Sequence, residues 1–267
     1  MSACGKMEDC INDIRKWMAN SFLKLNDNKT EVLLIGSKHS LKKLPKVAVQ
    51  IGNDMIIPSN TARNIGAMFD STLSMKYHVA SICKGAWYHL RSIGQVRNCL
   101  DVSSAKILMH SFVSSRLDNL NSLLYGIPKQ EIMKLQRIQN AAARIVSKAK
   151  KYDHITPTLH ALHWLPISQR IQYKILLLTY KALNNLAPQY IADMLKPIQL
   201  PHGRSLRSEY EQFLFLPSTN LVTFGGRSFS HAAPKLWNKL PSDCRKARTL
   251  GIFKSLLKTH LFREAFG

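Results

Sequence analysis

Residues 135 to 175 read LQRIQNAAARIVSKAKKYDHITPTLHALHWLPISQRIQYKI, and the rest of the chain is arranged around this stretch. Its apolar spacing predicts an amphipathic helix, a loop with a histidine-rich turn, a break at Trp164-Leu165-Pro166 and a second apolar helix. The first helix extends from Lys129 to Ala149, because Pro128 suits a helical first turn. At about 100° per residue, its apolar side chains fall on one side: Ile132, Leu135, Ile138, Ala142, Ile145, Val146 and Ala149.

The opposite side of the same helix collects positive charge. Its members are Lys134, Arg137, Arg144, Lys148 and Lys151. We expect no acidic residue to interleave with them in i, i+4 pairs. Such a stripe is either a solvated helix surface or a contact for a phosphate backbone, and the lack of acidic partners favours phosphate contact.

Helical spacing continues on both sides of this stretch. Upstream, the pattern predicts helices over Tyr77–Arg97, with Lys84, Arg91 and Arg97 as further cations, and over Asp101–Leu117, with Asp101 or Ser103 as the cap. Downstream, we predict helices over these ranges: Thr156–His163, Ser168–Asn185, Ala187–Leu195, Ser228–Trp237 and Thr249–Phe266. Prolines, Gly203 and the basic run Arg204–Arg207 predict loops with a hairpin near residues 197–226.

The first 75 residues have a different pattern. A helix over Met7–Phe22 precedes β-type runs at Thr30–Ile35, Val47–Ile51 with Met55–Ile57, and Asn64–Phe69. We therefore expect an α+β, mostly α chain: a small β-sheet with one covering helix (1–75), a basic helical bundle (76–150) and a further helical region (151–267).

Positive charge is large and uneven. Of 38 Lys and Arg against 16 Asp and Glu, residues 1–75 hold 10 against 7, which leaves 28 against 9 for the remainder and most of the net +22. A folded region with that excess repels itself unless a polyanion screens it, so nucleic acid is the favoured partner. The alternatives are an anionic membrane surface or a solvated basic surface without function.

The residues of common catalytic sites are missing from the sequence. It contains no adjacent aspartates, no Walker-type glycine loop, no H-E-x-x-H and no G-x-S-x-G. His154, His160 and His163 lack a carboxylate or cysteine at ligand spacing, so we predict structural histidines and no metal site. Gly225-Gly226-Arg227 is interpreted as a turn in preference to a phosphate cradle.

Cysteine usage and hydropathy predict an intracellular chain. The five cysteines are scattered and never spaced C-x-x-C, which favours free thiols in a reducing compartment. No signal segment and no long apolar run is evident, so we expect a nuclear or cytoplasmic location and no membrane insertion. Neither a small-molecule substrate nor an oligomeric state is predicted.

Aromatic residues lie among the cations. Trp87 and Tyr88 are near Lys84 and Arg91, Tyr152 follows two lysines, and Trp164 precedes Arg170. If exposed, such rings can stack on bases of single-stranded nucleic acid. If buried, they belong to the core, which is the commoner fate of tryptophan.

Ordered motifs give the chain a resemblance to a known family. The motifs are, in chain order, IRKWMANSFLKLNDNKTEVLLIG, ARNIGAMFDSTLSMKYHV, SRLDNLNSLLYGIP, LQRIQNAAARIV, HITPTLHALHWLPISQRIQYKI, RSFSHAAPKLWNKLP and FKSLLKTHLF. They resemble, in the same order, the palm end, primer grip, thumb and post-thumb region of LINE-type (non-LTR) retrotransposon reverse transcriptases, jockey-like ones in particular. The likeness covers essentially the whole chain.

The resemblance implies roles for several residues. Lys29 matches a palm lysine near the nucleotide phosphates, supported by Asn26 and Thr30. The primer-grip-like residues, which would position the primer end, are Ile65, Gly66 and Phe69. The helices of residues 77–149 match the thumb, which tracks a duplex through phosphate and sugar contacts, so RNA–DNA or DNA duplexes and RNA are the implied ligands.

The same resemblance implies a lost activity. The family holds two Mg²⁺ ions with palm aspartates, including an Asp-Asp turn that this sequence does not contain, and those ions carry phosphoryl transfer. We therefore expect a fragment that binds nucleic acid without a cofactor and without polymerising alone. The alternatives are a helical scaffold or interaction protein, a functionless product of a decayed element, or polymerase activity with aspartates from a partner chain.

Overall fold

The computed structural model describes residues 3–26, 29–44, 47–52, 54–198, 212–221 and 223–267. The chain is α+β and mostly α, as predicted. It forms two compact units, Met1–His78 and Val79–Gly267. The boundary lies three residues from the expected one at residue 75. The expected thumb-like and post-thumb regions, in contrast, share the second unit.

The first unit has two helices and two β-hairpins. Helix α1 (Ala3–Asn20) and helix α2 (Lys38–Lys43) precede strands β1 (Val49–Ile51) and β2 (Asp54–Ile56), which pair antiparallel. Val49 and Ile51 point to the same side of β1 and are buried with Val32. The β1–β2 hairpin was predicted, although its turn residue Asn53 lies outside the described residues.

The predicted single sheet is instead two separate hairpins. Strands β3 (Thr61–Asn64) and β4 (Ala67–Asp70) form the second, so the strand expected over Asn64–Phe69 contains a reversal. Ile65 and Gly66 occupy this turn with φ of 44° and 87°, the positive values of a tight hairpin turn. The run Thr30–Ile35 forms only one bridge, between Leu33 and Ser59.

Asp70 organises the turn between β4 and the next helix. Its carboxylate accepts hydrogen bonds from the backbone N–H groups of Thr72, Ser74 and Met75 and from the hydroxyls of Thr72 and Ser74. Burial acts to raise the pKa of Asp70, but the hydrogen bonds from Ser74, Thr72 and Met75 outweigh it and hold the pKa below its usual value.

Apart from one isolated β-bridge, the regular elements of the second unit are helices in its described residues. Its longer helices are α3 (Lys76–Val96, beginning in the first unit), α4 (Val102–Met109), α6 (Lys129–Ser147), α8 (Ile167–Leu183), α10 (Phe229–Trp237) and α12 (Leu250–Phe266). The short ones are α5 (Ser115–Asp118), α7 (Ile155–Ala161), α9 (Gln189–Ala192) and α11 (Ser242–Arg245). Asp101 caps α4 by accepting from the backbone N–H groups of Ser103 and Ser104.

The helix predicted over Asp101–Leu117 changes its winding midway. Between α4 and α5, residues His110–Ser114 form a π-helical turn. Such turns are rare and interrupt α-helices frequently at functional sites.

Helix α8 lies at the centre of the second unit and packs against α6, α10 and α12. The Tyr180 ring stacks on Phe253 of α12 at 4.2 Å between centroids, and its hydroxyl donates to the Ala247 carbonyl at 2.9 Å. Trp237 of α10 is buried and lies 5.9 Å from the same Phe253 ring. The three helices therefore share one aromatic core.

Gly225, Gly226 and Arg227 form a turn, as interpreted from the sequence. The N–H groups of both glycines donate to the Leu221 carbonyl. The Arg227 guanidinium donates to the carbonyl of Tyr125 at 3.0 Å, so it pins this turn to the earlier Gly126-Ile127-Pro128 break and is not positioned as a phosphate cradle.

The segment expected to hold a hairpin lies partly outside the described residues, which omit 199–211 and 222 and with them Arg204–Arg207. Its described part forms one bridge between Pro197 and Leu214. Over the described ranges, no helix is both long and apolar enough to cross a membrane.

Candidate nucleic-acid interface

Helix α6 has the two faces that its sequence predicts. Leu135, Ile138, Ala142 and Val146 are fully buried, at the spacings of three and four that place them on one side. Arg137 is exposed on the other side. The helix ends at Lys148, which has a φ of 56° and closes the last turn with its N–H group on the Arg144 carbonyl.

A lysine-rich turn continues this exposed side. Lys148, Lys150 and Lys151 are all exposed, and the Asp153 carboxylate holds the turn by accepting from the Lys150 backbone N–H at 2.7 Å. Arg137 and Lys148, the residue that ends the helix, are eleven residues apart and therefore about 16 Å apart along the axis of α6. We call Arg137, Lys148, Lys150 and Lys151 the α6 basic surface.

Lys134 is less available than its place in the predicted stripe suggests. Its ammonium donates to both carboxylate oxygens of Glu131, at 2.8 and 2.9 Å. The expectation concerned i, i+4 pairs and did not consider this pair, in which Glu131 is three residues before Lys134. Lys134 remains half exposed, but a phosphate would have to compete with Glu131 for it.

Arg97 does not belong to the surface at all. Its side chain is 7% exposed, and its guanidinium donates three hydrogen bonds of 2.7 Å, to the carbonyls of Ile145, Val146 and Leu100. The last carbonyls of a helix lack partners within the helix, so Arg97 caps the end of α6. The helical spacing of α3 places it among exposed cations, but the spacing does not show that α6 ends beside it.

Arg144 is also partly committed to structure. It is half-buried, and its Nη2 donates to the Asp153 carbonyl at 3.3 Å. Its side chain therefore lies against the lysine-rich turn that follows α6. Its charge remains near the α6 basic surface, while its hydrogen-bonding groups face the protein.

Helix α3 contributes a neighbouring groove. Gly94 faces the Ile145 side chain of α6, and a groove between the helices is lined by Trp87, Arg91 and these two residues. The C-terminal end of α3 therefore lies beside the C-terminal end of α6. Arg91 and Lys84 are exposed on α3, as predicted.

The aromatic residues divide between surface and core. Trp87 is 49% exposed and Tyr88 is 70% exposed on α3, while Tyr152 in the lysine-rich turn is 91% exposed, with the Lys151 ammonium 5.6 Å from its ring centre. These three rings are available for stacking. Trp164 is buried and belongs to the core.

The residues matched to the palm and primer grip lie in the first unit. Lys29 is exposed, and its N–H and the Thr30 hydroxyl both donate to the Asn26 carbonyl. The expected turn at residues 26–28 lies partly outside the described residues. Ile65 and Gly66 are exposed at a hairpin tip, whereas Phe69 is half-buried on β4.

The histidines of the central stretch pack against aromatic rings. His160 lies 5.0 Å from the Phe262 ring of α12, and His163 lies 5.6 Å from the same ring. Within the part of the chain that the structure describes, no three His, Cys, Asp or Glu side chains are grouped so as to hold a metal ion. The histidines therefore join the central stretch to α12.

Sequence reasoning missed Lys150 of the α6 basic surface. It lies in the same KAKK run as Lys148 and Lys151. The helical wheel excluded it because a helix was assumed to continue to Ala149, whereas the chain turns at Lys148. The left-handed residue brings all three lysines to one exposed turn.

Comparison with protein-family models, with curated protein sequences and with solved structures found no match. The resemblance to reverse transcriptases therefore rests on the quoted motifs and their order.

Proposed function

We propose that this chain binds the phosphate backbone of a nucleic-acid duplex through the α6 basic surface. In this proposal it is the thumb and post-thumb part of a LINE-type, jockey-like retrotransposon reverse transcriptase, together with the end of the palm. The observation that carries the proposal is the α6 basic surface: four cations on an exposed face, with none of their ammonium or guanidinium groups in an ion pair among the described residues.

Phosphates supply the charge that this surface lacks. Lysine and arginine side chains that neutralise phosphates release condensed counterions, which makes such binding strong at low salt. The length of the surface, about 16 Å from Arg137 to Lys148, spans several phosphates of one strand. Exposed Tyr152 lies beside it and could contact a sugar or an unpaired base.

Polymerisation is not part of the proposed function of this chain alone. The family's reaction needs two Mg²⁺ ions held by aspartates around the incoming nucleotide, and the sequence contains no adjacent aspartate pair. Lys29 could approach nucleotide phosphates only if another chain supplied those aspartates. Primer extension with Mg²⁺ should therefore give no product from this chain alone.

Salt dependence of binding tests the proposal directly. Fluorescence anisotropy with an RNA–DNA duplex should show affinity falling steeply with salt, with a log–log slope of about −0.9 for each neutralised phosphate. The triple variant Arg137→Gln, Lys148→Gln, Lys151→Gln should flatten the slope by about 2 to 3. Arg144 is left unchanged because it contacts the protein.

A matched control removes the same charge elsewhere in the second unit. Lys239, Lys246 and Lys254 are exposed and lie outside the α6 basic surface, so their triple glutamine variant should change the slope by less than about 1. Equal effects of the two variants would mean that only net charge matters. That result, or duplex binding that ignores salt, would refute the assignment of this surface.

A further inference from the structure

A cleft of about 450 Å³ with a mixed polar and apolar lining opens on the second unit, and no residue of the α6 basic surface lines it. Helix α8 forms one wall through Arg170, Tyr173 and Lys174, and α12 adds Lys258. The floor includes His110, at the start of the π-helical turn, and Asn121 in the segment after α5. Its volume is within the range of about 300–1,000 Å³ typical of small-molecule sites.

A partly exposed ion pair between Arg170 and Asp118 forms one side of the cleft. Arg170 Nη1 donates to Asp118 Oδ2 at 2.6 Å, and Arg170 Nε donates to the Leu165 carbonyl at 2.9 Å. The other oxygen of Asp118 accepts from Asn121 Nδ2 at 3.4 Å. Arg170 and Asp118 therefore neutralise each other and fix the cleft's shape without supplying net charge.

Asn121 leaves an acceptor without a partner. The residue is 4% exposed, and its Oδ1 has no hydrogen-bond partner among the described residues. Buried side-chain oxygens in folded proteins are nearly always hydrogen-bonded, so an unpaired one indicates a missing donor. Because Asn121 lines the cleft, rotation of its amide would let an N–H group on the planar ring of a ligand provide that donor.

The rim of the cleft attracts anions. Lys174 and Lys258 are exposed, and neither ammonium forms an ion pair in the described residues. Burial lowers the pKa of His110, and the nearby Arg170 guanidinium lowers it further, so this histidine adds an uncharged ring near neutral pH. The buried indole of Trp164 meets it edge-on at 5.4 Å and lines the same cleft.

We infer that this cleft binds a nucleotide unit, with the phosphate on Lys174 and Lys258 and the base directed towards Asn121. Phosphate carries the negative charge that the two lysines require. Adenine, cytosine and guanine present amine N–H groups that an amide oxygen accepts. The aromatic rings of Tyr173 and His110, which line the cleft, provide surfaces for the base.

The nucleotide unit has two possible sources. It is either a free mononucleotide or an unpaired nucleotide at the end or in a bulge of a bound strand. Both present the same phosphate and base, so the cleft residues are the same for each. The inference goes beyond duplex binding by the α6 basic surface, and it uses none of that surface's residues.

Isothermal titration calorimetry with three probes tests the inference. AMP should bind, whereas adenosine and ribose 5-phosphate, which lack the phosphate or the base, should each bind at least 10-fold more weakly. The variant Lys174→Gln, Lys258→Gln should weaken AMP binding at least 10-fold. The equally charged control Lys246→Gln, Lys254→Gln should change it less than 2-fold, since both residues are exposed outside the cleft.

The variant Asn121→Leu, which keeps a similar shape but removes the acceptor, tests the base contact separately. It should weaken AMP binding at least 10-fold, while circular dichroism confirms that the helices remain. If AMP does not bind but these variants weaken a single-stranded oligonucleotide, the unit belongs to a strand. The inference is overturned if ribose 5-phosphate binds as tightly as AMP, which indicates a simple anion site, or if the cleft variants bind every probe like the parent chain.

Failure of this inference is separable from failure of the proposed duplex binding. The triple variant of the α6 basic surface should retain AMP affinity, and the Lys174→Gln, Lys258→Gln variant should retain the salt slope for duplex. Each pair of variants thus reports on one site.

Discussion

Replacing Arg97 by methionine should destabilise the second unit without removing a nucleic-acid contact. The substitution keeps an unbranched apolar stem but deletes the guanidinium that donates to the carbonyls of Ile145, Val146 and Leu100. Arg97 is only 7% exposed, so the carbonyls around its guanidinium are also shielded from solvent. Water therefore cannot replace all three hydrogen bonds. The positive charge at the end of α6 would also be lost.

The expected cost is a large fraction of the stability of a domain. Leaving a buried acceptor without a partner costs about 1–3 kcal/mol. Partial access of water to the helix end makes the total cost for the three carbonyls smaller than three times this value. We expect a loss of about 3–5 kcal/mol, against a typical total of about 5–15 kcal/mol. The stability of Arg97→Lys should lie between those of the parent and of Arg97→Met, because one ammonium cannot reproduce the planar guanidinium geometry.

Urea unfolding followed by tryptophan fluorescence measures this loss, because Trp164 and Trp237 are buried in the second unit. The matched control is Arg91→Met, six residues earlier on α3 and exposed, which should change stability by less than about 0.5 kcal/mol. Arg91→Met should instead weaken duplex binding. An Arg97→Met protein as stable as the parent would refute the capping role.

Two further predictions concern single side chains. Asp70→Asn should destabilise the first unit by about 1–2 kcal/mol at pH 7. Because folding lowers the Asp70 pKa, the carboxylate stabilises the folded unit above its unfolded pKa near 3.8 and loses that contribution as the pH falls through the folded pKa. Acid unfolding curves of parent and variant should therefore converge below pH 3.8, and a constant gap down to the lowest pH would contradict this account. Gly225→Ala should cost about 1–3 kcal/mol of stability, since a Cβ atom there would lie 2.9 Å from Thr219 Cβ. Gly94→Ala, whose Cβ would meet only Ile145 at 3.8 Å, should instead stabilise α3 by up to about 1 kcal/mol. Thermal unfolding of both variants checks this, and a change in stability of the same sign in both would contradict it.

Periodicity predicted the helices because each one buries a face at regular spacing. The bounds of α6 and α8 differ from the predicted ones by one or two residues, since capping and apolar spacing are local properties. The β region was harder. Whether Asn64–Phe69 is one strand or a hairpin depends on residue 65 accepting a positive φ, which isoleucine rarely does.

The site was only partly predictable for a different reason. Arg97 and Arg137 are both cations at helical spacing, and their sequence contexts do not distinguish them. Arg97 is buried because the end of α6 comes beside it, 48 residues later in the chain. The cleft at Asn121 was not predicted, because its walls come from segments that are distant in sequence and meet only in the folded unit.

The few acidic residues near α6 are already engaged in hydrogen bonds or ion pairs. Asp101 accepts from backbone N–H groups at the start of α4, and Asp153 does so in the lysine-rich turn. Asp118 pairs with Arg170 in the cleft, and Glu131 pairs with Lys134. These are all the acidic residues between positions 76 and 155, and of them only Asp153 lies in the lysine-rich turn, where its carboxylate offsets one of the four positive charges of the α6 basic surface. The remaining charge is balanced by solvent ions or by a bound polyanion, and exchange of the ions for the polyanion is what the salt slope measures.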